Sequence, residues 1–303
     1  LKKQACLSLN EIHEAIKSNQ SISVKILSLI IDDTISSLLR NSQALMSLIN
    51  LKQYQERLFS HSFNVMVLAL TIAIKDGFKK EALWVLGQAA LLHDIGWAQL
   101  PQNLFGKAKP YTDNELRVVH QHVKLSHHIL SQNNDVNEET KELILLHHER
   151  SDGSGYPYCK TKHEIKPLAR ILIVADYYDA MLHGLLDSPG VIAAQALRAL
   201  YKESLQNKLE GDYVEILIKF LGIYPLWSAV ELTSGEKAIV IAINREQPLT
   251  PNVKILYSSD GQALVTPVEV ELQNDKKNRK IKNLINHVDK NIDPMNILVM
   301  ATA

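Results

Sequence analysis

Cysteine is scarce in this 303-residue chain: Cys6 and Cys159 are its two thiols, far apart and without a C-x-x-C spacing. That excludes a disulfide-stapled scaffold and a cysteine-based zinc site, and it points to a reducing, cytoplasmic setting. A surplus of one charge is missing as well. Lysine plus arginine and aspartate plus glutamate number 33 each, so no broad field favours a nucleic-acid polymer or an anionic membrane, and any nucleotide must be held by a local site. Long hydrophobic runs are also lacking. The longest, Val65 to Ile74 with Thr71 inside it, is well short of the roughly 20 residues a bilayer crossing needs, so no membrane span is expected. The opening Leu1-Lys2-Lys3-Gln4 has neither a starting methionine nor a signal core, and reads as part of a longer chain. What the chain does have is 46% hydrophobic residues, enough for a sizeable core, and 12 histidines.

Apolar residues recur at helical spacing from Ser8 to about Leu221, as in Phe63, Met66, Val67, Leu70 and Ile74. Breaks at Lys75-Asp76-Gly77, Pro101 to Pro110, Asp152 to Pro157 and Asp187 to Gly190 leave predicted helices near 53–75, 80–95, 112–131, 138–148 and 166–184. The segment Ile22 to Ile31 is apolar enough for a core helix or a dimer face, and is read as core. After Gly222-Ile223-Tyr224-Pro225 the runs become short and β-rich, at Ala229–Leu232, Ala238–Ile243 and Val253–Tyr257, with Ser259-Asp260-Gly261 as a hairpin turn before Ala263. The expected architecture is therefore mainly α, a helical bundle with a small, mainly β C-terminal appendage. Its divisions are an N-terminal helical segment at 1–50, a main domain at 51–222 and the appendage at 223–303, with a short helix at 281–290. The basic patch Lys276 to Lys280 is too small a footprint for tracking a phosphate backbone and reads as a solvated turn.

Chemistry concentrates in the helical part: His61, then His93-Asp94, His122, His147-His148, and Asp176. Each group falls on a different predicted helix or at its end. Neighbours on a helix point about 100° apart, so His93-Asp94 suits a place where several helices converge better than a single helical chelate. Imidazole and carboxylate together are the donor mix for iron, manganese, zinc or nickel, and a carboxylate can bridge two ions. Taken singly, any of these histidines is more readily explained as a core or surface residue. His13, His120, His127, His128, His163, His183 and His287 have no place in the pattern and are assigned structural or exposed positions.

The words around these residues change that balance: Leu91-Leu92-His93-Asp94-Ile95-Gly96, His147-His148-Glu149-Arg150, and Asp152-Gly153-Ser154-Gly155-Tyr156-Pro157. Between about Arg40 and Asp179 the chain resembles the HD-GYP family, a branch of the HD phosphohydrolases named for its His-Asp and Gly-Tyr-Pro motifs. The resemblance implies an HD-type helical bundle whose metal ligands fall on His61, His93, Asp94, His122, His147, His148 and Asp176. It places His93 and Asp94 at the catalytic centre, with Asp94 and a water or hydroxide bridging two divalent ions, iron or manganese. The implied reaction is hydrolysis of cyclic di-GMP to linear pGpG and GMP. The loop of Gly153, Gly155, Tyr156 and Pro157, with Trp97 and Arg150, would form the substrate rim, and the loop would also offer a docking surface for a signalling protein. Three positions depart from the family pattern. Trp97 stands where the family usually has lysine, Met181 to Ser188 replaces a basic phosphate-gripping segment, and Arg57 occupies the place of a glutamate that helps hold a third ion. Two ions are expected rather than three, and the alternatives for function are a catalytically weak relative acting as a nucleotide receptor or protein-interaction module, or a phosphohydrolase of another nucleotide.

Overall fold

The apolar stripe expected around Phe63 to Ile74 is broader than a stripe. In a computed structural model of the chain, which describes residues 1–49, 57–105, 110–184 and 190–285, helix α3 (Arg57–Lys75) is buried on every face from Ser60 to Ala73. A helix apolar all round belongs at the centre of a bundle. By length and composition α3 could cross a membrane, but 83% of its apolar window is buried within the protein, which is what a core helix shows. No other helix among the described residues is long and apolar enough.

Two compact units are present. The first comprises Leu1–Val191 and Ala199–Leu217. Around α3 stand α1 (Lys2–Lys17), α2 (Lys25–Ile49, kinked at Asn41), α4 (Lys80–Leu92) and α8 (Pro167–His183). Leu27, Ile30 and Ile31 of α2 are buried, so the core reading of that segment holds. The expected helix at 112–131 is two helices, α5 (Asp113–Val119) and α6 (Gln121–Ser131), parted at His120. Thr112 opens α5 with a reciprocal capping box to Glu115, and Asn137 caps α7 (Glu138–Leu146) through Thr140 N at 2.7 Å. Helix α8 starts on Pro167 and stops at Gly184, whose φ of +66° is the left-handed cap that glycine adopts without strain.

The second unit comprises Ile192–Arg198 and Ile218–Ala303. Helices α9 (Ala193–Leu205) and α10 (Gly211–Leu221) each divide between the units. Its body is a five-stranded antiparallel sheet in the order β4-β3-β2-β1-β5, from β1 (Ala229–Leu232), β2 (Lys237–Ala242), β3 (Asn252–Tyr257), β4 (Ala263–Glu271) and β5 (Ile281–Leu284). Val230, Leu232, Val240, Val253 and Ile255 form its core. The expected turn joins β3 to β4, with Ser258 N donating to Gln262 O at 2.9 Å. The short helix expected at 281–290 is corrected: Ile281–Leu284 pairs with β1 as a strand, because Ile281 and Leu284 find apolar partners on the sheet, and 286–290 lie outside the described residues.

Candidate metal centre

Helix ends place most of the site. His93 follows α4 and His147 follows α7 as their C-caps, and His122 lies just past the break between α5 and α6. The last carbonyls of a helix have no partner within it. Each of these three imidazoles uses one: His93 Nδ1 donates to Ala90 O at 2.8 Å, His122 Nδ1 to Val119 O at 2.7 Å and His147 Nδ1 to Ile144 O at 2.6 Å. A carbonyl only accepts, so the proton sits on Nδ1 and each Nε2 presents a lone pair.

Those lone pairs converge. His122 Nε2 is 3.3 Å from His147 Nε2 and 3.1 Å from His148 Nε2, while His93 Nε2 is 3.3 Å from His61 Nε2. Facing lone pairs at such distances repel unless a proton or cation lies between them. Asp94 stands among them with its oxygens divided. Oδ1 is 3.2 Å from His122 Nε2 and 3.8 Å from His147 Nε2, and Oδ2 is 3.3 Å from His93 Nε2 and 3.8 Å from His61 Nε2. Asp176 also spans the groups, Oδ1 lying 3.0 Å from His61 Nε2 and Oδ2 3.5 Å from His148 Nδ1. Two sets of donors meet the spacing a cation needs, His61 with His93 and Asp94, and Asp94 with His122, His147 and His148. All seven residues of the expected set are thus brought together, and all but His148 are buried.

The electrostatics of His147, His148 and Asp94 suit a cation-binding donor set, whereas the neighbouring carboxylates hold a proton on His61 in the absence of a cation. Burial, with His93 and His122 nearby, pushes His147 down to about 3, and burial beside His147 and His122 holds His148 well below its usual value. Both stay neutral and ligand-ready. Burial opposes the charge on Asp94, yet His93 and His122 hold its carboxyl well below the usual range. Burial would likewise depress His61, but hydrogen bonds to Asp176 and Asp179 override it and raise the group to about 10.

Several supporting residues escaped the sequence reading. Asp179, wholly buried, accepts from His61 Nδ1 at 2.7 Å through Oδ2. His183 Nδ1 lies 3.1 Å from its Oδ1 but off the line of a hydrogen bond, which leaves that oxygen unsatisfied among the described residues. Ser126 on α6 donates to His93 O at 2.7 Å and accepts from Gly96 N at 2.8 Å, tying the His93-Asp94 turn to the helix that carries His122. Gly96 permits that approach, since a Cβ there would lie 2.2 Å from His122 O. Glu149, also wholly buried, accepts from Tyr158 N at 2.8 Å and Lys160 N at 2.9 Å and so folds the following loop. No spacing rule announces these contacts; the one local hint is the repeat of aspartate three residues after Asp176.

The rim residues divide. Gly155 packs against the Glu149-Arg150 backbone where a Cβ would meet Arg150 N at 2.3 Å, and Gly153 has φ +81°. Tyr156, joined to Pro157 by a cis bond, lies 4.8 Å from the His148 ring and stacks on His120 at 3.7 Å and 12°. His120, given no role from sequence, is therefore part of this wall. Burial, with Asp176 and Asp94 nearby, keeps the Tyr156 phenol protonated. Arg150 packs over the Tyr177 ring at 5.4 Å. Trp97 lies elsewhere than the rim: it is 6% exposed, stacked 5.4 Å from the His122 ring and edge-on to Phe105 in a cluster with Leu58, Leu100 and Tyr111. It packs behind a ligand-type imidazole and has no open face for a base. Of Met181 to Ser188, which stands where the resembled family has its basic phosphate-gripping segment, 185–188 lie outside the described residues.

The HD domain family matches residues 26–212, and a KOW domain associated with HD domains matches 229–289. The chain belongs to the HD domain family. A Pseudomonas aeruginosa protein named cyclic di-GMP phosphodiesterase is 31% identical over 260 residues, covering 84% of this chain and 61% of that one. A Thermotoga maritima protein of the same name is 34% identical, covering 52% of this chain and 43% of its own. The chain thus spans less than two thirds of the length of these relatives. An HDG"Y"P protein from Bdellovibrio bacteriovorus has the same fold, with a TM-score of 0.60 at 21% identity over 73% of this chain and 70% of that one.

Proposed function

We propose that this chain is a metal-dependent phosphodiesterase that opens cyclic di-GMP to linear pGpG and onward to GMP. One observation carries the reading: Asp94 turns its two oxygens to two different imidazole groups, so one buried carboxylate is shared between two cation-sized sets of donors. We assign His61, His93, Asp94, His122, His147, His148 and Asp176 to hold two divalent ions, iron or manganese, on the mixed imidazole and carboxylate donors and the family resemblance. When bound, such a pair lowers the pKa of a water nucleophile and neutralises charge on the phosphate. The protein's own groups prepare that chemistry. His93, His122 and His147 present Nε2 from fixed orientations, and Asp94 and Asp176 remain carboxylates. Arg150, close enough to act electrostatically on His148 and Tyr156, supplies positive charge for a phosphate, and the Tyr156 phenol supplies a donor. The names of the relatives support the substrate. We assign residues 51–222 as the catalytic body and 223–303 as its appendage, and the Gly153 to Pro157 loop as rim and docking surface for a signalling protein.

A nucleotide-receptor role is the second reading, favoured by Trp97, which puts a buried indole where the resembled family usually offers a cation. Elemental analysis of protein purified with iron or manganese, combined with chromatography of cyclic di-GMP products, separates the two. The expected result is close to two ions and a linear product that disappears in His93→Ala and Asp94→Ala. Bound dinucleotide with both ions and no product establishes the receptor instead, and no bound metal under any supplement overturns the centre itself.

A further inference from the structure

Four of the five imidazoles in the cluster, His61, His93, His122 and His147, are buried, but they are not held alike. Three are fixed by backbone carbonyls left over at helix ends. His61 lies inside α3, where the main-chain carbonyls are spent on the helix ladder, so its Nδ1 must find a partner elsewhere. It finds Asp179 Oδ2 at 2.7 Å, 118 residues away on α8. We infer that Asp179 is the positioning residue for His61, holding the ring so that Nε2 faces Asp94 and Asp176, and that it thereby governs one of the two metal positions, the one formed by His61, His93 and Asp94.

This rests on the metal-centre reading above, and three features of the structure make it specific. Asp179 is wholly buried and lies outside both donor sets, so its task toward a cation runs through another residue. The other set, Asp94 with His122, His147 and His148, draws none of its orientation from Asp179. His61 is also the one of the four whose anchor a substitution can remove, because its anchor is a side chain. A carboxylate behind a ligating imidazole fixes its tautomer and direction and raises its basicity, and loss of such a partner costs about 10- to 100-fold in metal affinity.

The test is metal affinity and stoichiometry, measured by competition with a chromogenic chelator and by elemental analysis on the full chain, for Asp179→Asn and Asp179→Ala. The amide keeps an acceptor for His61 Nδ1 but drops the charge, so Asp179→Asn should weaken one ion by roughly tenfold and Asp179→Ala by up to about 100-fold, the second ion keeping wild-type affinity. In a His61→Ala background neither change should weaken metal further, since the partner through which Asp179 acts is gone. Should Asp179→Ala fail to fold, Asp179→Asn with the His61→Ala background decides the matter. Wild-type affinity for both ions in the Asp179 variants overturns the inference, as does an equal loss with and without His61, or equal weakening of both ions. A wild-type protein that takes up no metal removes the metal-centre reading itself, a failure visible before any variant is made.

Discussion

Gly96→Ala is the sharpest probe of how the His93-Asp94 turn is held. A methyl group at this position would lie 2.2 Å from His122 O, 2.6 Å from Ser126 N and 2.9 Å from Ser126 Oγ. Two of these are backbone atoms of α6, so relief requires the turn and the helix to separate. Overpacking of this kind costs about 1–3 kcal/mol. Separation also stretches the Gly96 N–H to Ser126 and the Ser126 hydroxyl to His93 O, two buried hydrogen bonds that contribute roughly 0.5–1.5 kcal/mol each. A central figure of about 4 kcal/mol corresponds to a Tm lower by roughly 8–16 °C for a domain of this size. The displaced atoms belong to the turn that follows His93-Asp94 and to the helix that carries His122, so metal uptake should fall along with Tm. Scanning calorimetry with elemental analysis measures both, and Gly211→Ala, where an added Cβ meets nothing within 4 Å, is the control. A Gly96→Ala protein that melts within 1–2 °C of wild type, on the order of 0.5 kcal/mol, and loads the same metal would refute the argument.

Trp97→Ala should lower stability by about 3–5 kcal/mol, as expected for a large ring lost from a buried cluster, because the indole fills the space behind His122. Chemical denaturation measures this, and a loss below about 1 kcal/mol would show that the ring faces solvent. Protein stripped of metal should be most stable near pH 6.5. His61, raised from its ordinary value to about 10, contributes stability that is complete below pH 6.5 and lost as pH rises through 10; His147, lowered to about 3, loses stability as pH falls from 6.5 toward 3. A Tm profile across that range after chelation would count against this ordering if it rose steadily toward either end.

The cluster was legible from sequence because the identity and order of a few side chains carry it: the His93-Asp94 doublet, the His147-His148 pair and the Gly-Tyr-Pro turn each sit at a helix end where a break also shows. What holds the cluster was not legible. His61 and Asp179 meet across 118 residues, and Ser126 reaches His93 across 33. Such pairs depend on how helices pack, which periodicity does not encode. Trp97 was misplaced for the same reason: its neighbours Phe105 and Tyr111 come from the chain beyond the turn, and together they bury it. Ile281–Leu284 has a sequence compatible with a helix, and pairing with β1 decided it. The break at His120, hidden inside a continuous helical pattern, is what frees Val119 O for His122.

Anchoring imidazoles on main-chain oxygens has a consequence for how this site endures mutation. A carbonyl stands at positions 90, 119 and 144 whatever side chain those positions carry, so drift at Ala90, Val119 or Ile144 leaves the orientations of His93, His122 and His147 in place as long as the helices still end where they do. These three orientations are therefore insulated from side-chain changes at the anchoring positions and exposed there mainly to changes in helix length, such as an insertion or deletion in α4, α5 or α7. A lineage can then change side chains at those three positions without first dismantling the cluster.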